Sequence, residues 1–201
     1  IAYWEQLRGT EQQIAQYIKR SIEYNKKALS LYTDDKSKRT VNDHIGSSYL
    51  KLGEIEKNLG QSAQIFHEKH EHFILSEEYV KLAIKTFEDN IIQIPQNEDD
   101  FHHNAIDYNY LASAYPRVAR RDKKNAEYYY QKALVCLVKG FQSKQDYDRL
   151  LYTMGDHNIT RILKSKYNIF VDTMDRSAVK RELIKISDKI EDDFDRMRLK
   201  N

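Results

Sequence analysis

The residues best suited to chemistry in this sequence form a short cluster of histidine and glutamate. His67, His70 and Glu71 are spaced so that one face of a helix would carry all three. Imidazole and carboxylate groups are ligands for Zn²⁺ and related divalent metals, so this face would suit a metal-dependent enzyme. The same spacing also suits a solvated helix face held by Glu–His pairs. We favour this second interpretation and predict neither a metal nor any other cofactor.

Other kinds of catalytic site are not indicated by the sequence. Cys136 is the single cysteine and lies in the apolar run 133–138, which predicts a small buried hydrophobic residue rather than a reactive thiolate. The six glycines form neither of the common phosphate-binding loops. We therefore predict that the protein is not an enzyme. A lone cysteine also cannot form an internal disulfide, and we expect a cytoplasmic location.

The elements that position these residues are expected to be helices. The 201 residues include only six Gly and two Pro, which argues against a turn-rich β-sandwich or barrel. Charged residues make up 32% and hydrophobic residues 40%, which is typical of helices with wide solvated faces. The formal net charge of +2 is too small to indicate a nucleic-acid or membrane partner. We predict an all-α fold and a single domain over 1–201.

The spacing of apolar residues predicts about seven to nine helices and no paired strands. The predicted helices span 3–32 with a break near Gly9, 38–58, 61–94 as one helix or two, 102–115, 123–139, 144–154, 157–166 and 176–199. Gly60, Pro116 and Gly140 are predicted helix ends. Ser76 would cap the second helix if 61–94 divides.

The last part of the chain is predicted to be a capping region over 144–201. Asp156 and Asp175 are the predicted N-caps of its last two helices. The final helix carries one apolar stripe, formed by Val179, Leu183, Ile186, Ile190, Phe194 and Met197. A stripe of this kind would lie over the preceding helices as a cap, and the alternative is the seam of a homodimer.

Two stretches share a pattern of small and aromatic residues. The first, at 45–53, reads Ile-Gly-Ser-Ser-Tyr-Leu-Lys-Leu-Gly. The second, at 111–115, reads Leu-Ala-Ser-Ala-Tyr, and Ala126, Tyr130 and Ala133 follow on one face of the next helix. Small residues occur where two helices touch, and aromatic residues fill the gaps beside them. The pattern therefore indicates closely packed helix pairs.

Both stretches resemble the tetratricopeptide repeat, with the clearest units over 40–92 and 104–139. The resemblance implies a superhelix of antiparallel helix pairs whose first helices form a concave face for a protein or peptide. The implied binding positions are Asp43, Ser47, Lys51, Asn109, Ser113 and Arg117.

We predict from these observations a protein- or peptide-binding module that serves as a scaffold or sensory part of a larger protein. The chain begins at Ile1 rather than Met, which is typical of a fragment of a longer protein or of a processed product. The alternatives are a regulatory domain of a bacterial signalling or transcription regulator that responds to a peptide, and a metal-dependent enzyme built on the His67 face. A membrane partner is not predicted, and nucleic-acid binding is disfavoured.

Overall fold

The computed structural model describes residues 10–142 and 153–199, and every regular element in these two stretches is helical. The eight α-helices of the described residues are α1 (Glu11–Leu29), α2 (Asp35–Ser62), α3 (Phe66–Asn90), α4 (Glu98–Ala119), α5 (Ala126–Gln142), α6 (His157–Tyr167), α7 (Arg176–Lys185) and α8 (Ser187–Arg198). A 3-10 turn at Val171–Thr173 lies between α6 and α7. The predicted all-α class is confirmed.

The helices form two compact units. The first unit ends at Ile91 and contains α1 to α3, and the second begins at Ile92 and contains α4 to α8. The single helical-repeat domain over 1–201 stays a prediction. The predicted helix over 144–154 lies almost entirely outside the described residues, and so does the beginning of the predicted helix over 3–32.

Short polar side chains begin most of these helices. Asp156 accepts hydrogen bonds from the backbone N–H groups of Asn158 and Ile159, and Asp175 accepts one from that of Ala178. Both predicted N-caps are therefore confirmed. Each such bond satisfies a donor that the first helical turn leaves free, which typically contributes about 1 kcal/mol. Further caps are provided in the same way by Thr10, Asp34 and Asn97.

Three predicted helix ends are wrong by two or three residues. Helix α2 continues beyond Gly60, α4 beyond Pro116 and α5 beyond Gly140. The missing N–H of Pro116 removes one backbone hydrogen bond, but this residue lies in the last turn of α4, where the helix stops soon after it. Gly60 serves helix packing rather than helix termination, because its Cα faces α3.

The predicted segment 61–94 contains one long helix rather than two. The chain leaves α2 at Ala63 and enters α3 after Ile65, and both residues have extended backbone angles. Ser76 lies in the interior of α3, so its prediction as an N-cap is wrong. Its hydroxyl instead donates to the carbonyl oxygen of Gly53 at 2.6 Å, which links α3 to α2.

Three glycines allow α2 and α3 to pack closely as an antiparallel pair. Gly46, Gly53 and Gly60 lie seven residues apart, and all three face α3. A Cβ atom added at Gly46 would lie 2.6 Å from the Phe87 Cζ atom, which is closer than van der Waals contact allows. A Cβ at Gly53 would lie 3.0 Å from Cγ2 of Val80. The absence of side chains along this line therefore sets the distance between the two helices.

The C-terminal stripe packs against α5 within the second unit. Its helix is divided at Ile186, where φ is −105° and ψ is 15°, so the predicted continuous helix over 176–199 is wrong. The Phe194 ring lies 5.5 Å from the Tyr128 ring of α5, measured between centroids. Three positions of the stripe are buried, namely Val179, Leu183 and Ile190. This packing supports the cap interpretation, and the homodimer stays a prediction.

The left-handed residue Asn168 ends α6 and yields the first testable prediction. Its φ is 59° and its ψ is 32°, and the following N–H, of Ile169, donates to the Leu163 carbonyl oxygen at 3.0 Å. We expect Asn168→Gly to leave the free energy of unfolding unchanged or raise it by up to about 1 kcal/mol, because glycine adopts positive φ without strain. Asn168→Val should lower it by about 1–2 kcal/mol. Urea denaturation of both variants tests this order, and a more stable valine variant would contradict it.

Candidate functional site

The best candidate for a ligand site is an open groove in the first unit. Helices α1 and α3 both pack on α2 and make little direct contact with each other in the described residues. The space between them has a volume of about 630 Å³ and lies over α2. Volumes of this size are typical of ligand sites. We call this space the α1–α3 groove.

The floor and one wall of the α1–α3 groove are apolar. Ile22 and Leu52 are buried at its base. Tyr49 and Tyr79 also line the groove, and their rings stack on each other with 6.2 Å between centroids and 23° between planes. Leu82 of α3 forms part of the wall and is 43% exposed. A ligand that covered this surface would remove apolar area from water, which is the main driving force of association.

The α1 wall of the groove is basic. Lys19, Arg20 and Lys27 line it together with one acidic residue, Glu23. The Lys19 Nζ atom lies 5.8 Å from the Tyr79 ring centroid, so it is within the range of a cation–π contact. Such a wall attracts acidic groups and holds them where they are partly shielded from solvent.

Lys26 adds a further cation beside the groove. Its Nζ atom lies 5.8 Å from the centroid of the Tyr49 ring. A hydrogen bond with Tyr49 raises the pKa of Lys26 above its usual value. The side chain is therefore positively charged throughout the neutral pH range, and this contribution to the basic wall is lost only at strongly alkaline pH.

The three predicted binding residues on α2 make contacts within the first unit and do not line the groove. Asp43 is buried, and one of its carboxylate oxygens accepts a hydrogen bond from Asn90 Nδ2 at 2.8 Å. The Ser47 hydroxyl donates to the carbonyl oxygen of His44 at 3.1 Å. Lys51 Nζ lies 3.2 Å from a carboxylate oxygen of Glu54. A role of these residues in binding stays a prediction.

The other three predicted binding residues lie on α4 in the second unit. Asn109 is buried, and its Oδ1 atom accepts no hydrogen bond from the residues that the structure describes, which is uncommon for a buried amide oxygen. The Ser113 hydroxyl donates to the carbonyl oxygen of Tyr110 at 2.8 Å. Arg117 is partly buried in the last turn of α4. Their role in peptide binding also stays a prediction.

The histidine cluster lies on the exposed first turns of α3. His67 Nδ1 is 3.4 Å from a carboxylate oxygen of Glu71, and the His70 ring is parallel to that of Phe66. Within residues 10–142 and 153–199, no group of three His, Cys, Asp or Glu side chains is placed to hold a metal ion. The contacts of His67 are those of a solvated Glu–His pair. Cys136 is buried, as predicted.

The α1–α3 groove is not among the sites predicted from the sequence, although α3 carries a signal for it. The residues of α3 that pack on α2 include Ser76, Val80, Ala83 and Phe87, at spacings of four, three and four. A second apolar row runs one position earlier and consists of Leu75, Tyr79 and Leu82. Two adjacent rows on one helix indicate two packing surfaces. The second surface is partly exposed in the structure.

Comparisons with known proteins identify neither a family nor a relative of this chain. No protein family, no curated protein and no solved structure matches this chain at a significant level. Across the part of the chain that the structure describes, none of the helices combines the length and the apolarity needed to cross a bilayer.

Proposed function

We propose that this chain is a protein-binding helical module whose α1–α3 groove holds a segment of a partner protein with both apolar and acidic side chains. The observation that carries the proposal is one open groove with an apolar floor, a partly exposed apolar wall on α3 and a basic wall on α1. Apolar contact would supply most of the affinity. The cations would select the charge of the partner and speed its association.

The tetratricopeptide-like arrangement belongs to the same proposal. It is supported by two consecutive antiparallel pairs, α2 with α3 and α4 with α5, each with close contact between its helices. In the first pair, α3 packs against Gly46, Gly53 and Gly60 of α2. In the second, the rings of Tyr115 and Tyr129 stack with 6.3 Å between centroids. Modules built from such pairs serve as scaffolds or sensory parts of larger proteins, which is the role we propose here.

A peptide selection on the full chain tests the proposed function. Displayed random peptides of about 20 residues are selected on the immobilised protein, and the dissociation constants of the enriched peptides are measured by fluorescence anisotropy. We expect Leu82→Glu to weaken these peptides at least tenfold, because it places a carboxylate on the apolar wall and opposes acidic ligands. Tenfold corresponds to about 1.4 kcal/mol of binding free energy.

The matched control is Phe66→Glu, which makes the same type of change elsewhere on α3. Phe66 is 83% exposed and does not line the groove. This variant should retain the wild-type dissociation constants, and circular dichroism should show both variants to be folded. Absence of any enriched peptide, or equal affinity for the wild type and Leu82→Glu, would overturn the proposal.

A further inference from the structure

The first unit has the form of a helix bundle with one side open. We infer that the α1–α3 groove binds an amphipathic α-helix of a partner, and that this helix carries acidic residues along the edge that faces α1. The inference rests on the proposed function and adds the conformation and the charge pattern of the bound segment.

The arrangement of the three helices leaves space for a fourth. Helix α1 is antiparallel to α2, since Asn58 near the end of α2 donates to the Glu11 carboxylate at the beginning of α1 at 3.0 Å. Helix α3 is also antiparallel to α2. Helices α1 and α3 both pack on α2, make little contact with each other, and line one groove together with it, so they can serve as two walls of a four-helix arrangement. A fourth helix between them would contact α1, α2 and α3 together.

The spacing along α3 suits a helical ligand. Leu75, Tyr79 and Leu82 follow at spacings of four and three, so they form a straight row along the helix. Leu75 and Leu82 are 38% and 43% exposed. A row with this spacing is the surface into which side chains of a neighbouring helix pack. Along the basic wall, Lys19 to Lys27 span roughly 12 Å, or about two helical turns.

The apolar floor also favours a helix over an extended peptide. Ile22 and Leu52 offer no hydrogen-bonding groups to a backbone that lies on them. An extended peptide would leave N–H and C=O groups unpaired there, which costs free energy. An α-helix satisfies these groups within its own turns. It can therefore cover an apolar floor without that penalty.

The distribution of charge in the groove predicts which edge of the ligand helix carries acidic residues. The cations Lys19, Arg20 and Lys27 are all on the α1 side, and among the described residues that line the groove Glu23 is the one anion. The groove-lining residues of α3 are Tyr79 and Leu82, which are uncharged at neutral pH. Aspartate or glutamate on the edge toward α1 would meet these cations, and lysine or arginine there would be repelled.

Two displayed libraries test this inference on the full chain. Both contain helical 21-residue peptides with the same apolar face of Leu, Ile, Phe and Met. One library has Glu, Asp and Gln at the flanking positions, and the other has Lys, Arg and Gln. We expect enrichment of the acidic library alone, and a gain in helical circular dichroism when an enriched peptide binds. Placing Pro at the centre of that peptide should weaken it at least tenfold, since Pro breaks the helix.

Charge reversal of the basic wall gives the second readout. The double variant Lys19→Glu/Lys27→Glu should bind the enriched acidic peptide at least tenfold more weakly and should accept the basic library. Lys57→Glu is the matched control, because Lys57 is exposed on α2 and does not line the groove. It should leave binding unchanged.

The possible failures of the two proposals differ. Peptides that stay non-helical when bound would overturn the inference of a helix and leave the groove as a binding site for apolar and acidic segments. Enrichment of the basic library would overturn the inference together with the charge that the proposed function assigns to the partner. If neither library is enriched but random peptides bind in a manner sensitive to Leu82→Glu, the inference again fails alone. If no peptide of any kind binds, the proposed function fails with it.

Discussion

Replacing Gly46 with alanine is expected to lower the free energy of unfolding by about 2 kcal/mol. The added Cβ would lie between 2.6 and 2.9 Å from three carbon atoms of the Phe87 ring. Phe87 is fully buried and cannot turn away, so the backbones of α2 and α3 must separate. Overpacking typically costs about 1–3 kcal/mol, and the better helix propensity of alanine returns up to about 1 kcal/mol. Urea denaturation followed by circular dichroism measures the change.

Two further variants show whether the ring contact is the cause. The double variant Gly46→Ala/Phe87→Leu should lose less free energy of unfolding than the two single variants lose together, because the smaller side chain at position 87 makes space for the methyl group. Gly60→Ala is the control on the same line of glycines. Its Cβ would lie 3.1 Å from the Phe73 ring and from the Cβ atom of His72, which are milder contacts than those at Gly46, and both neighbouring side chains are partly exposed. Gly60→Ala should change stability by less than about 1 kcal/mol, and an equal cost at both glycines would contradict our explanation.

Replacing Gln131 with alanine is expected to lower the free energy of unfolding by about 3 kcal/mol. Gln131 is buried, and its Nε2 atom donates to the Tyr167 hydroxyl at 2.7 Å and to the Ile190 carbonyl oxygen at 3.2 Å. Its removal leaves a cavity and withdraws the donor from both oxygens. The loss of stability should be largest for α8, because the Gln131 side chain links α8 to α5. Urea denaturation gives the total, and limited proteolysis should cut first in α8.

Tyr167 is the second member of this network. Its hydroxyl donates to an Asp193 carboxylate oxygen at 3.0 Å, and burial raises the pKa of the phenol, so it stays protonated and able to donate. Tyr167→Phe alone should cost about 1–2 kcal/mol. The double variant with Gln131→Ala should cost less than the sum, because the first change already removes their shared bond.

The control for the network is Gln142→Ala, which makes the same change at an exposed position of α5. It should alter stability by less than about 0.5 kcal/mol. If Gln142→Ala costs as much as Gln131→Ala, or if the Gln131 and Tyr167 changes add fully, then the network does not hold α8 in place.

Features that depend on a few neighbouring residues were predictable from the sequence. Asp156 and Asp175 cap helices because a short acceptor reaches backbone groups two or three residues away. The C-terminal stripe was predictable because buried positions must repeat with the helical period. The burial of Cys136 followed from its aliphatic neighbours. None of these features requires knowledge of which helix lies opposite.

The site required more than local information. The resemblance to the tetratricopeptide repeat predicts binding residues on α2 and α4. The α1–α3 groove, in contrast, is formed by residues from three helices. The row of Leu75, Tyr79 and Leu82 is visible in the sequence, but a helix with two apolar rows is equally suited to packing between two neighbours. Its exposure depends on the separation of α1 from α3.

The sequence by itself determined the helical class of the described residues, the beginnings of α6 and α7 and the apolar faces that are buried, because hydrogen bonds and hydrophobic periodicity act over a few residues. Only the tertiary structure decided that Gly60 packs against α3 instead of ending α2, that Ser76 binds Gly53, and that a groove opens beside Tyr79. These outcomes depend on how closely helices approach one another, and that distance is set by side chains from distant parts of the chain that meet only after folding.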